Sequence, residues 1–253
     1  MCLILFAYRI HPEYPLIVAA NRDEFYQRPT ANAHFWEDDT QILAGRDLEK
    51  MGTWMGVTTT GRFAALTNYR DPMEESVGKR SRGELVADAL KYEGSVNEYM
   101  QALAENNQLY PGYNLLAGNL DELYYYSNVG KELVRVQPGI YGLSNHLLNT
   151  QWPKVKIGTD GMTQVINENQ EDIVESLMTL LQLADPAPDE VLPKTGVPFE
   201  LEKMLSPLFI KSENYGTRSS TVLIMDKNQI HFNERVYANE KIIDQQYLVD
   251  LKK

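Results

Sequence analysis

The chain has 253 residues, 43% of them hydrophobic and 23% charged, with a formal net charge of −11 and a single cysteine. That length and apolar content support one substantial core in a soluble globular protein. The negative balance repels phosphate backbones and anionic lipid surfaces, which sets nucleic acid aside as a partner, and one cysteine cannot form an intrachain disulfide. A locally basic cleft in such a chain remains free to take a small anion.

The chain opens with two short apolar runs, 2–9 and 15–20, separated by His11-Pro12-Glu13-Tyr14-Pro15. Short length, β-branched residues and the proline break predict buried strands. No basic stretch precedes the first run and no small-residue cleavage site follows it, so no signal peptide is expected. No apolar run approaches the ~20 residues that span a bilayer. With a lone thiol suited to a reducing compartment, a cytoplasmic protein is expected. Residues 54–59 and 62–67 predict a hairpin turned at Thr60-Gly61, where glycine takes positive φ at little steric cost. Four strands thus precede any helix.

Ser81-Arg82-Gly83-Glu84 and Ser95-Val96-Asn97-Glu98 both match the capping box and predict two helix starts. Strands are predicted at 113–117, 123–126 and 133–136. A helix follows Asn169, with Ile173, Val174, Leu177, Leu180 and Leu181 at helical spacing, and stops before Asp185-Pro186-Ala187-Pro188. The Pro-rich stretch 185–199 reads as a long loop. A final hairpin, 221–225 and 229–232, turns at Lys227-Asn228. Alternating blocks of strands and helices predict an α+β fold, read as a single domain over 1–253.

Cys2 is the most informative residue. Removal of Met1 would give it a free α-amine beside its thiol, and an amine near pKa 7.7–8.0 suits a general base at about neutral pH. The alternative is a small buried strand residue. Asn21-Arg22-Asp23-Glu24 leaves an apolar run, either as a solvated turn or as the rim of a site. If the first two runs pair, Asp23 and Arg22 come near the start of the first strand, where they act on the Cys2 amine or thiol. Asn68, Asn145 and Arg218 are each a surface or turn residue, or an oxyanion or substrate clamp. Tyr69 and His146 flank the two asparagines. Four scattered histidines and one cysteine predict no metal site, and no phosphate-binding or dinucleotide loop is present. No cofactor is expected.

The blocks Cys2, Ala19-Ala20-Asn21-Arg22-Asp23-Glu24-Phe25-Tyr26, Gly52-Thr53-Trp54-Met55-Gly56, Ala64-Ala65-Leu66-Thr67-Asn68-Tyr69-Arg70, Tyr141-Gly142-Leu143-Ser144-Asn145 and Tyr215-Gly216-Thr217-Arg218-Ser219-Ser220 resemble the NRDE family, that of the transport and Golgi organisation 2 proteins. The resemblance runs the length of the chain. The family is distantly similar to the bile salt hydrolase and penicillin V acylase branch of N-terminal nucleophile hydrolases, which implies a four-layer αββα sandwich. It also implies Cys2 as nucleophile and base, Asp23 orienting its amine, Asn68 and Asn145 holding the oxyanion, and Arg218 supporting the nucleophile. One departure is visible: in those hydrolases the Arg stands several residues before the Asp, whereas Arg22 directly precedes Asp23. Asn21, Glu24, Tyr69 and His146 are the expected substrate contacts. The resemblance implies hydrolysis of a small amide or acyl (thio)ester. The alternative is a carrier for haem or an acyl-CoA-like ligand, since animal members are associated with haem trafficking and lipid metabolism. A small molecule is the expected partner; self-association stays open.

Overall fold

The computed structural model describes residues 2–168, 172–238 and 241–252. Met1 and Asn169, which figure in the sequence reading, lie outside the described residues. Strands β1 (Cys2–Tyr8) and β2 (Leu16–Phe25) pair antiparallel, Cys2 opposite Arg22. With β10 (Gly139–Leu143), β11 (Tyr215–Met225), β12 (Gln229–Ala238) and β13 (Lys241–Asp250) they form a six-stranded antiparallel sheet ordered β10-β1-β2-β11-β12-β13. The second sheet runs in sequence order through β3 (Thr30–Phe35), β4 (Ile42–Asp47), β5 (Met55–Thr58), β6 (Phe63–Asn68), β7 (Tyr113–Gly118), β8 (Leu123–Ser127) and β9 (Leu133–Arg135).

Alternation along β1 and β2 builds the layers. Ile4, Phe6, Tyr8, Leu16, Val18 and Ala20 meet Leu43, Val57, Phe63 and Leu116 in a core between the sheets. Leu3, Leu5, Ile17 and Ala19 point the other way, onto α3 (Pro153–Asn167) and α4 (Ile173–Leu181). The second sheet's outer face packs on α1 (Gly83–Lys91) and α2 (Val96–Glu105). Strands covered on both faces are apolar throughout, which is why the first two runs show no polar alternation. The result is a four-layer αββα sandwich, as the resemblance implied. Among the described residues no helix is long and apolar enough to cross a membrane.

The local expectations fare unevenly. The box at Ser95 forms: Glu98 N–H donates to Ser95 Oγ at 3.2 Å, and Glu98 Oε2 accepts from Ser95 N–H at 2.9 Å. The box at Ser81 does not. Its glutamate is taken by Arg80, whose Nε donates to Glu84 Oε2 at 2.8 Å, and Arg82 precedes α1 without a side-chain cap. Gly61 has φ +84° at the β5–β6 turn, as predicted. Six strands, not four, precede the first helix; the two unread ones, β3 and β4, carry little alternation. A short helix, α5 (Phe199–Met204), follows Pro198 at the end of the predicted loop, and three strands rather than two close the chain. Asn21-Arg22-Asp23-Glu24 does not end a strand but lies within β2, bridged to β11 on its far side.

Candidate active site

A cavity of about 610 Å³ is walled by residues of both sheets and of the segment leading into α1. Of the expected site residues, Cys2, Arg22, Asp23, Glu24, Asn68 and Arg218 line it. The strand ladder brings them together. Arg22 stands opposite Cys2 on one side and Ser219 on the other, and a bulge between Thr217 and Ser219 lets Arg218 break the alternation of β11.

Cys2 is 9% exposed and is a free thiol. Burial pushes the thiol up from its ordinary range, with the Asp23 carboxylate adding to the shift. Arg22 and a hydrogen bond from the Asp23 backbone oppose it. A thiol so placed needs a base before it can attack. Asp23 is 1% exposed. Its Oδ1 accepts from Thr217 Oγ1 at 2.7 Å, and that hydroxyl in turn accepts from the Ile210 N–H at 2.9 Å. Burial raises the Asp23 carboxyl, and Lys154 is the strongest influence holding it down.

Four expected residues stand outside the cavity wall. Asn21 is fully buried in the β2–α4 layer, donating to Leu181 O at 2.8 Å and Leu208 O at 2.9 Å and accepting from Ser220 Oγ at 2.6 Å. It is a structural tie and has no free group for a substrate. Asn145 Nδ2 donates to Asn68 O at 3.0 Å, and Asn145 O accepts from Arg70 N–H at 2.7 Å, so it fixes the backbone from which Asn68 projects. Tyr69 and His146 pack on each other with centroids 5.0 Å apart, and His146 Nδ1 is bonded to Thr150 Oγ1 at 2.8 Å.

Sequence reasoning missed a buried charged group beside the cavity. Lys154, on α3, is 2% exposed, donates to Leu205 O at 3.1 Å, and is pulled down to about 8 by burial against the attraction of Asp23. Arg70 and Glu202 form an ion pair at 2.6 Å with side chains 6% and 4% exposed, and Arg70 stacks over Trp152 at 4.7 Å. Nothing in a helical run such as Pro153-Lys154-Val155-Lys156 says which lysine is inside. Arg82, also on the cavity wall, did carry a signal: Lys79-Arg80-Ser81-Arg82 is a basic cluster in an acidic chain. Among the described residues no three His, Cys, Asp or Glu side chains gather to hold a metal ion.

Residues 1–239 match the family model described as Transport and Golgi organisation 2. The chain is 36% identical over 261 residues to the Homo sapiens Transport and Golgi organization protein 2 homolog, covering 93% of this chain and 92% of that protein. It is 31% identical over 263 residues to the Drosophila melanogaster Transport and Golgi organization protein 2, covering 92% and 91%. Among solved structures, a variant of the conjugated bile acid hydrolase from Clostridium perfringens superposes with a TM-score of 0.52 at 12% identity, over 99% of this chain and 97% of that one. That likeness shows the fold, the sandwich of N-terminal nucleophile hydrolases.

Proposed function

The chain belongs to the Transport and Golgi organisation 2 family, and from that premise we propose that it is a cysteine N-terminal nucleophile hydrolase acting on a small amide or acyl (thio)ester. One observation carries the reading: the chain's only thiol lies on the wall of the cavity next to a buried carboxyl anchored by Thr217.

Once Met1 is removed, the α-amine of Cys2 takes the thiol proton as sulfur attacks the acyl carbon. An S–C bond forms and the carbonyl oxygen becomes an oxyanion. Collapse breaks the bond to the leaving nitrogen, oxygen or sulfur, which receives the proton from the ammonium. Water then adds to the thioester, its proton passing to the amine and on to the departing sulfur, and the acid leaves. Asp23 holds the amine, Asn68 offers a donor to the oxyanion, and Asn145 acts through the backbone of Asn68 as a positioning residue.

The test combines intact mass, which reports Met1, with turnover of acyl p-nitroanilides and acyl thioesters. Wild type is expected to accumulate an acyl mass on Cys2. Cys2→Ala is expected to form none and to fall to background, and Asp23→Asn to slow by about 10²–10⁴-fold, the usual contribution of positioned proton transfer. Cys2→Ala working at the wild-type rate, or a native protein that keeps Met1 and turns over nothing, would refute the proposal.

A further inference from the structure

The cavity wall has the opposite charge from the chain. Against 24 Lys and Arg and 35 Asp and Glu in the sequence, the wall carries eight Arg and Lys side chains and five Asp and Glu. Four of the eight are matched. Arg28 pairs with Asp47 at 2.5 Å, Arg46 with Asp38, Lys79 with Glu74 at 3.5 Å and Arg80 with Glu84 at 2.7 Å. Arg22, Lys50, Arg82 and Arg218 have no ion-pair partner among the described residues.

Two of these four are held in place rather than left to wander. Arg82 Nη1 donates to Gly112 O at 2.8 Å, and Arg218 Nη1 donates to Arg28 O at 2.5 Å and Phe25 O at 3.2 Å. Neutral carbonyls orient a guanidinium without cancelling its charge, and each retains free donors. Arg22 is the sharpest case. It is only 8% exposed, and among the described residues its side chain forms no ion pair. Its guanidinium nitrogens still reach the cavity, where an entering anion meets a charge that little water screens. Besides the ion-paired Asp47 and Glu84, the carboxylates on the wall are Asp23, Glu24 and Glu234. Asp23 accepts from Thr217, Glu24 from the Phe25 N–H at 2.9 Å and Glu234 from the Ala33 N–H at 2.7 Å; these neutral donors leave the carboxylate charges in place, so three carboxylates stand against the four cations and a net positive charge remains.

We propose that the cavity binds an acyl compound bearing an anionic group, carboxylate or phosphate, whose oxygens are held by Arg22, Arg82 and Arg218. The acyl half of this assignment rests on the hydrolase reading; the anion site does not. Fork-shaped guanidinium groups suit either oxyanion because each can donate two parallel hydrogen bonds. Trp54 and Leu66, on the same wall, give an apolar surface to the remainder of the ligand. A volume of about 610 Å³ admits a small molecule. The net charge of −11 over the whole chain turns polyanions away.

The experiment is calorimetric titration of Cys2→Ala protein, which cannot turn a ligand over, with octanoate, octyl phosphate and the neutral octanamide. At least one anion is expected to bind about tenfold or more tightly than the amide, the scale of a charge-assisted hydrogen bond. Comparing octanoate with octyl phosphate identifies the head group. Adding Arg22→Gln or Arg82→Gln should weaken anion binding about tenfold and leave octanamide unchanged, whereas Arg22→Lys should keep part of the preference. Thermal melting of each variant separates loss of the site from loss of the fold. Octanamide binding as well as both anions, binding of none of the three, or folded Gln variants indistinguishable from their parent would overturn the proposal. An anion preference without any acyl adduct on Cys2 in the wild type would leave this site standing and remove the hydrolase.

Discussion

Lys154 is a full positive charge held 2% exposed, with one carbonyl as its hydrogen-bond partner among the described residues and the Asp23 carboxyl as its main electrostatic support. Its folded-state pKa of about 8 lies below the ordinary 10.5. Below pH 8 both folded and unfolded chains hold the proton and the fold bears the full desolvation penalty. Between about 8 and 10.5 the unfolded chain keeps the proton and the folded one sheds it, so the contribution of Lys154 to stability rises with pH. The slope is at most roughly 1.4 kcal/mol per pH unit. Urea unfolding at a series of pH values from 7.5 to 10 is therefore expected to show wild type gaining stability relative to Lys154→Met. Parallel curves would mean that the proton is not lost there.

At the scale of elements, the cavity wall depends on a contact between two backbones. A Cβ on Gly52 would come within 2.5 Å of the Gly83 carbonyl carbon and 2.7 Å of its oxygen. Beside it Thr53 N–H donates to Gly83 O at 3.1 Å. This clamp ties the start of α1 to the segment entering β5 and sets Arg82 on the wall. Gly52→Ala is expected to cost about 1–3 kcal/mol, as overpacking against rigid neighbours does, since no side-chain rotation relieves a clash with backbone. It should also weaken octanoate or octyl phosphate binding. Denaturation and calorimetry on the same variant check both, and an unchanged stability would show that the two segments part easily.

Over the whole molecule, the inner core joins both sheets: Phe6 and Val18 from one and Val57 and Phe63 from the other belong to a single buried cluster. Neither sheet keeps its inner face covered without the other. We propose that residues 1–253 behave as one domain, and expect urea unfolding followed by tryptophan fluorescence and by far-UV circular dichroism to give one coincident transition. Two resolved transitions would divide the chain into separately folding parts.

Much of this was written in local sequence. Apolar runs with turn residues between them gave the central strands. Ser95 and Glu98 gave α2, because a cap is satisfied within four residues. The ordered blocks around Cys2, Asp23, Asn68 and Arg218 gave the αββα class through their resemblance to a family. Where a residue's meaning depends on what lies across the sheet, the sequence was silent. β13, exposed along most of its length, has no alternation to read. Asn21 and Arg22 are adjacent polar residues of one strand, yet period-two geometry sends Asn21 into the helix-facing layer and Arg22 to the cavity. Lys154 and Lys156 share a helix, and only packing decides that one is enclosed and the other ion-paired at the surface. Charge and hydrophobic period are properties of a segment and survive in the sequence. Burial and the pairing of charges belong to neighbours distant in the chain, and the tertiary structure alone assigns them.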